Sequence, residues 1–131
     1  MERQRVSSGT EWEPKVGYSR AVRTGDEVHV SGTTATDDGG NLVGEGDPYE
    51  QTKQALSNVA EALDAAGASV EDVVRTRIYV TDVDQWEAVG RAHTEVFGDV
   101  RPATSMVQVE RLIDPEMLVE IEAVARIGDG E

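Results

Sequence analysis

The chain has 131 residues, no cysteine, two histidines, and a formal net charge of -14 from 26 acidic and 12 basic residues. That length suits one domain with a real core. The missing thiols exclude disulfides, thiolate metal sites and a cysteine nucleophile, and two histidines alone make no zinc cluster. The acidic balance repels phosphate backbones and anionic lipid, so neither nucleic acid nor membrane is expected as a partner.

In chain order, residues 1–14 read as an irregular segment, 15–127 as one folded domain and 128–131 as a tail. Val16 to Arg23 and Glu27 to Ser31 read as a hairpin across Thr24-Gly25-Asp26, with Val28 and Val30 alternating against His29 and Ser31. Asp37-Asp38-Gly39-Gly40-Asn41 signals a turn, and Leu42-Val43 is a candidate short third strand. A helix then opens with Asp47 as N-cap, Pro48 at its first position and Glu50 three residues after the cap. Leu56, Val59, Ala60 and Leu63 form its apolar stripe and Gly67 its stop.

The run Val73 to Thr81 reads as a strand, with Val74, Thr76, Ile78 and Val80 on one face and Arg75, Arg77 and Tyr79 on the other. A second helix spans about Val83 to Phe97, with Trp86, Val89 and Val96 along one side and Trp86 a core residue; Gly98 ends it. Two last strands follow. Ser105, Val107 and Val109 alternate with Thr104, Met106, Gln108 and Glu110, and Val119, Ile121 and Ala123 alternate with Leu118, Glu120, Glu122 and Val124. The order β-β-(β)-α-β-α-β-β, with two single-striped helices, predicts an α+β domain: a mixed sheet with both helices on one face.

The other sheet face is expected to carry His29, Ser31, Arg75, Arg77, Tyr79, Gln108, Glu120 and Glu122, mixed with Met106 and Leu118. An antiparallel sheet commonly leaves one face to water. Mixed charge beside large apolar groups suits an interface with polar networks better, and arginine suits packed ion pairs better than lysine. The expectation is that partner subunits cover this face.

Several short runs follow one another in order from about Lys15 to Arg126: Val16-Gly17-Tyr18-Ser19-Arg20-Ala21-Val22, Val30-Ser31-Gly32, Gln51-Thr52-Lys53-Gln54-Ala55-Leu56-Ser57-Asn58, Tyr79-Val80-Thr81-Asp82 and the C-terminal Arg101 to Ala125. Together they resemble the RidA/YjgF family, also called L-PSP or UK114-like, in which the first run reads Gly-Pro-Tyr-Ser-Gln-Ala-Val. The resemblance implies a chorismate-mutase-like fold and a homotrimer with small-molecule sites in clefts between subunits. It implies hydrolysis of 2-imino or 2-enamino acids to ammonia and a 2-oxo acid. In that chemistry an arginine grips the substrate carboxylate bidentately and a glutamate positions water.

Carried over by position, Tyr18 and Gly32 are pocket residues and Glu120 is the water-positioning glutamate. Gly90 stands about where many deaminases have asparagine, and Met106 where cysteine or a small residue is common. The arginine itself is replaced: the family's Pro-Ala-Arg-Ser is here Pro102-Ala103-Thr104-Ser105. Losing that charged contact removes on the order of 2 to 5 kcal/mol of carboxylate affinity. Arg77 is the candidate replacement cation, against the alternative of an ion pair with Glu120 or Glu122; Arg101 reads as structural.

His93 has a base's ordinary pKa but reads equally as a helix-edge residue at a subunit contact. Trp12 and Trp86 are weighed as pocket walls. No phosphate loop, Ser-His-Asp order or metal-ligand spacing is present in convincing form, so no cofactor is expected.

The function expected is a trimeric hydrolase or deaminase acting on an imine, enamine or related amide, with Thr104 and Ser105 hydrogen-bonding a less acidic substrate. The alternative is a non-catalytic metabolite-binding or regulatory trimer; an endoribonuclease ranks below both because of the charge. No run is long and apolar enough to span a bilayer, and the first residues lack the apolar centre of a secretory signal, so a cytoplasmic location is expected. Abundant acid with only Lys15 and Lys53 as lysines resembles proteins of halophiles, and the charge reads as a solvated surface in a salty cytoplasm.

Overall fold

Six strands and three helices make up the computed structural model, which describes residues 2–128. The strands are β1 (Arg3–Val6), β2 (Ala21–Thr24), β3 (Glu27–Thr33), β4 (Val73–Val80), β5 (Ala103–Gln108) and β6 (Val119–Arg126); the helices are α1 (Trp12–Val16), α2 (Pro48–Ala65) and α3 (Trp86–Phe97). They form one mixed sheet in the order β1-β2-β3-β6-β4-β5, antiparallel except where β5 runs parallel to β4 at the edge. Helix α2 packs on β3, β6 and α3, covering one sheet face.

The core lies between that face and the helices. Val28 and Val30, Ile78 and Val80, and Val119, Ile121, Ala123 and Ala125 meet Leu56, Val59 and Leu63 of α2 and Val89 and Phe97 of α3. Burying each large side chain contributes about 1.5–3 kcal/mol.

Local chemistry sets the element ends. The Asp47 carboxylate accepts the Glu50 N–H at 3.1 Å, and Pro48 follows, so α2 starts where the sequence places it. It ends in a Schellman motif: Gly67 has φ 86°, its N–H donates to Asp64 O, and the Ala68 N–H donates to Leu63 O. In the β2–β3 hairpin Thr24 pairs with Glu27, and Gly25 at the first loop position has φ 63°, as a type II′ turn requires.

The Gln51 to Asn58 run has a structural role as well. The buried Gln51 side chain donates to Gly44 O and Glu116 O and accepts from Leu118 N–H, while Asn58 donates to Thr34 O and Thr36 O. The helix thereby clamps both long loops beside the sheet ends.

The structure differs from the sequence reading in several places. Residues 1–14 are not irregular throughout. β1 adds a sixth strand by pairing with β2, and α1 follows it around a buried Glu13, whose carboxylate accepts from Ser8 N–H, Ser8 Oγ and Thr10 Oγ1. Val16 therefore ends a helix, Gly17 caps it at φ 91°, and the next strand starts only at Ala21.

Leu42-Val43 is no strand; one bridge joins Leu42 to Thr36. Asp37 Oδ1 accepts from both Gly39 and Asn41 N–H at 2.9 Å, which satisfies the backbone locally instead. A bulge at the start of β4 turns Val74 out, and Val73 takes the core position. A 3₁₀ turn at Val83–Gln85 precedes α3, which starts at Trp86; that side chain is 57% exposed rather than core.

β5 is in opposite phase to the expectation. Pairing of Thr76 with Thr104, Ile78 with Met106 and Val80 with Gln108 puts Thr104, Met106 and Gln108 on the helix side. Ser105 and Val107 share the helix-free face with Arg77 and Tyr79.

Candidate functional site

Two groups of the sequence-selected residues come together, one on each side of the sheet. On the helix-free side, Glu120 follows from the alternation of β6 and faces the β3 bulge. Val30 pairs with Ala123 but Thr33 with Ile121, so Ser31 and Gly32 stand opposite Glu122 alone. The bulge brings the Gly32 backbone against the Glu120 side chain. A Cβ on Gly32 would lie 2.8 Å from Glu120 Cδ and closer still to Oε2, so only glycine fits with the carboxylate in place. Burial pushes the Glu120 carboxyl above its ordinary value, Glu122 adds to the rise, and Arg20 opposes it. The group is thus a stronger base than an exposed glutamate.

The cation in this group is Arg20, which the sequence reading did not select. Its Nη2 donates to Gly32 O, its guanidinium lies 5.9 Å from the centre of the Tyr18 ring, and its buried Nε has no hydrogen-bond partner among the described residues. Ser31 Oγ donates to Ser19 O at 2.7 Å, tying the Tyr18 loop to the bulge. The available signal was arginine at position 20 where the family segment has glutamine.

Arg77 does not stand beside Glu120. It forms an ion pair with Glu122 at 3.2 Å, and Tyr79 Oη donates to the other Glu122 oxygen. Ser105 is on the same side, contacted by Arg75.

The helix-side group contains Thr104, which occupies the exposed edge strand. Its Oγ1 lies 2.7 Å from Thr76 Oγ1 and 3.1 Å from Pro102 O, and Thr76 Oγ1 lies 2.9 Å from His93 Nε2. Thr76 is 1% exposed, and the His93 ring packs on Phe97 at 4.8 Å between centroids. Burial holds His93 below its ordinary value, so it is neutral at pH 7. Gly90 stands one turn earlier on α3, with open space where a Cβ would be. Met106 is half-buried against the core. Arg101 has φ 54° and its N–H donates to Phe97 O, closing the end of α3 before Pro102, a structural role.

Trp12 is 42% exposed under Lys15, and Glu110 is exposed. A cleft of 290 Å³ lined by Gly46, Pro48, Val80, Asp82, Val89 and Leu118 contains no predicted site residue. A depression of 50 Å³ lies over Arg75, Arg77 and Glu122 on the helix-free face. Among the described residues, no cluster could hold a metal ion, and no helix is long and apolar enough to cross a membrane.

The two groups are far apart within one chain. β4 lies between β6 and β5, and Glu120 is level with Val107, three residues beyond Thr104. Two strand spacings and three residue rises give roughly 14 Å between backbone positions, on opposite faces.

Comparison with known proteins gives consistent matches. The family model described as Endoribonuclease L-PSP matches residues 9–127. An uncharacterized protein of Streptomyces coelicolor is 47% identical over 125 residues, covering 95% of this chain and 92% of that one. A RutC family protein of Pyrococcus abyssi is 36% identical over 118 residues, covering 88% and 92%. The crystal structure of Rv2704 from Mycobacterium tuberculosis, described as a member of the YjgF/YER057c/UK114 family, is 52% identical and superposes with a TM-score of 0.88, covering 96% of this chain and all of that one.

Proposed function

The chain belongs to the Endoribonuclease L-PSP family, the RidA/YjgF group, and from that premise we propose a homotrimeric hydrolase with small-molecule sites between subunits. Its substrate is an imine, enamine or related compound without the strongly gripped carboxylate of a 2-imino acid. The observation that carries the proposal is the split of the site residues. Tyr18, Gly32 and Glu120 lie on one side of the sheet and Gly90, Thr104 and Met106 on the other, so a second chain is needed to bring them into one cleft.

Glu120 is the water-handling group. Partly buried and beside Glu122, it takes a proton more readily than a free carboxylate, which suits removing one from water as it attacks a C=N carbon. Tyr18 and Gly32 line its side of the cleft. Thr104 offers a hydroxyl where the family's deaminases hold a guanidinium, and a hydroxyl matches a neutral substrate; Ser105, on the opposite face of β5, does not share that position. The charge of -14 weighs against RNA cleavage.

The test is ammonia release from freshly generated 2-aminoacrylate and from neutral imines, by the native protein, Glu120→Gln and Thr104→Arg. The expected result is turnover of neutral imines lost in Glu120→Gln, with 2-aminoacrylate turnover gained in Thr104→Arg. No turnover by the native protein, with activity only in Thr104→Arg, supports the other reading, a metabolite-binding trimer that kept the cleft without the chemistry.

A further inference from the structure

We propose that Thr104, Thr76 and His93 form a hydroxyl relay that makes Thr104 a nucleophile toward uncharged acyl compounds such as small esters. The proposal rests on the reading of Thr104 as a ligand-site residue and adds a reaction to it. His93 Nε2, Thr76 Oγ1 and Thr104 Oγ1 follow one another at 2.9 and 2.7 Å, the central hydroxyl 1% exposed and the terminal one on the exposed edge strand. A buried polar hydroxyl on a β-strand needs partners, and Thr76 has one on each side. A neutral imidazole has one nitrogen free to accept a proton, and burial keeps His93 neutral.

The surroundings suit attack at Thr104. Gly90, on the same α3 face one turn before His93, leaves open space instead of a side chain. β5 is the sheet edge, and Val109 N–H donates to Val80 O. Strand alternation therefore aims the Thr104 N–H outward, away from β4, as a free donor for a developing oxyanion. Thr104 has one proton and two acceptors for it, Pro102 O at 3.1 Å and Thr76 Oγ1 at 2.7 Å. Rotation toward Thr76 opens the relay.

In the acylation step Thr104 Oγ1 forms a bond to the carbonyl carbon. Its proton passes to Thr76 Oγ1, whose own proton passes to His93 Nε2. The bond between the carbonyl carbon and the leaving oxygen then breaks; the leaving oxygen takes a proton from solvent and departs as the alcohol, while the imidazolium returns its proton to solvent and His93 is neutral again. Water attacks the acyl-Thr104 ester in the second step, returning the hydroxyl and releasing the acid. The sum is ester plus water giving acid plus alcohol, with no redox partner. Thr104 is the catalytic residue, and Thr76 and His93 act through it as positioning residues.

The test uses p-nitrophenyl acetate with the full-length protein, following nitrophenolate release, intact mass, and peptide mapping of the acetyl group. The variants are Thr104→Val, Thr76→Val, Thr76→Ser and His93→Gln, each checked for native unfolding. The expected result is acetyl on Thr104, absent in Thr104→Val. Its formation slows by about a hundredfold in His93→Gln and Thr76→Val, the size of a lost general base, and is restored in Thr76→Ser. Acetylation only at other residues, no acetylation, or equal Thr104 acetylation in His93→Gln and Thr76→Val as in the native protein would each overturn the relay. Ammonia release from imines does not enter this readout, so the relay and the imine-hydrolase reading fail separately.

Discussion

Replacing Gly32 with alanine tests the contact between the β3 bulge and Glu120. The new Cβ would lie 2.8 Å from Glu120 Cδ, 3.2 Å from Cγ and nearest of all to Oε2, with no other contact within 4 Å among its three nearest atoms. Gly32 is not among the residues with positive φ, so alanine suffers no backbone strain. The cost is therefore steric and borne by one side chain, which must swing away from Arg20. Overpacking of this kind costs about 1–3 kcal/mol, and a movable carboxylate places it near the lower end.

For a chain of this length, each kcal/mol lowers Tm by about 4 °C, so Gly32→Ala should melt about 4–6 °C lower at fixed protomer concentration. The same substitution in a Glu120→Ala background should cost less than about 0.5 kcal/mol, because the clashing atoms are gone. The assay is a thermal double-mutant cycle. Equal losses in the two backgrounds would refute the reasoning.

Removing the α2 cap with Asp47→Ala should cost about 1 kcal/mol, and chemical denaturation with unchanged slope checks it. Glu120→Gln should raise stability at pH 7. The folded protein holds the Glu120 carboxyl above its ordinary 4.5, so its contribution is complete below pH 4.5 and lost as pH rises through the folded value. The gain from glutamine should therefore vanish below pH 4.5, and a pH series of melts in which it persists would contradict this. With 26 acidic against 12 basic residues, added salt should raise Tm by screening self-repulsion; indifference to salt would count against haloadaptation.

The parts of the fold legible in the sequence are those set by local chemistry. Asp47-Pro48 and Gly67 bound a helix through hydrogen bonds within a few residues, and β6 shows its phase because Val119, Ile121 and Ala123 contrast with Glu120 and Glu122. β5 offers no such contrast. Met106 and Val107 are both apolar, and the strand's phase follows from parallel pairing with β4, which the local sequence does not encode. That error put Met106 and Gln108 on the wrong face and hid the contact of Thr104 with Thr76.

Arg20 was overlooked for a related reason. Its residue type was visible, but its place beside Glu120 depends on a bulge in a different strand. The N-terminal segment is ordered by one buried glutamate, and Glu13 reads in sequence as an ordinary surface acid.

The central claim is that Glu120 of one chain and Thr104 of another share a cleft. The chain has no cysteine, so Glu120→Cys/Thr104→Cys carries only the two engineered thiols. A bismaleimide shorter than the roughly 14 Å that separates the positions within one chain should join the double variant into covalent dimers and trimers on a denaturing gel, while each single variant stays monomeric. An internally bridged monomer, or no cross-link in a protein that unfolds normally, would contradict the account.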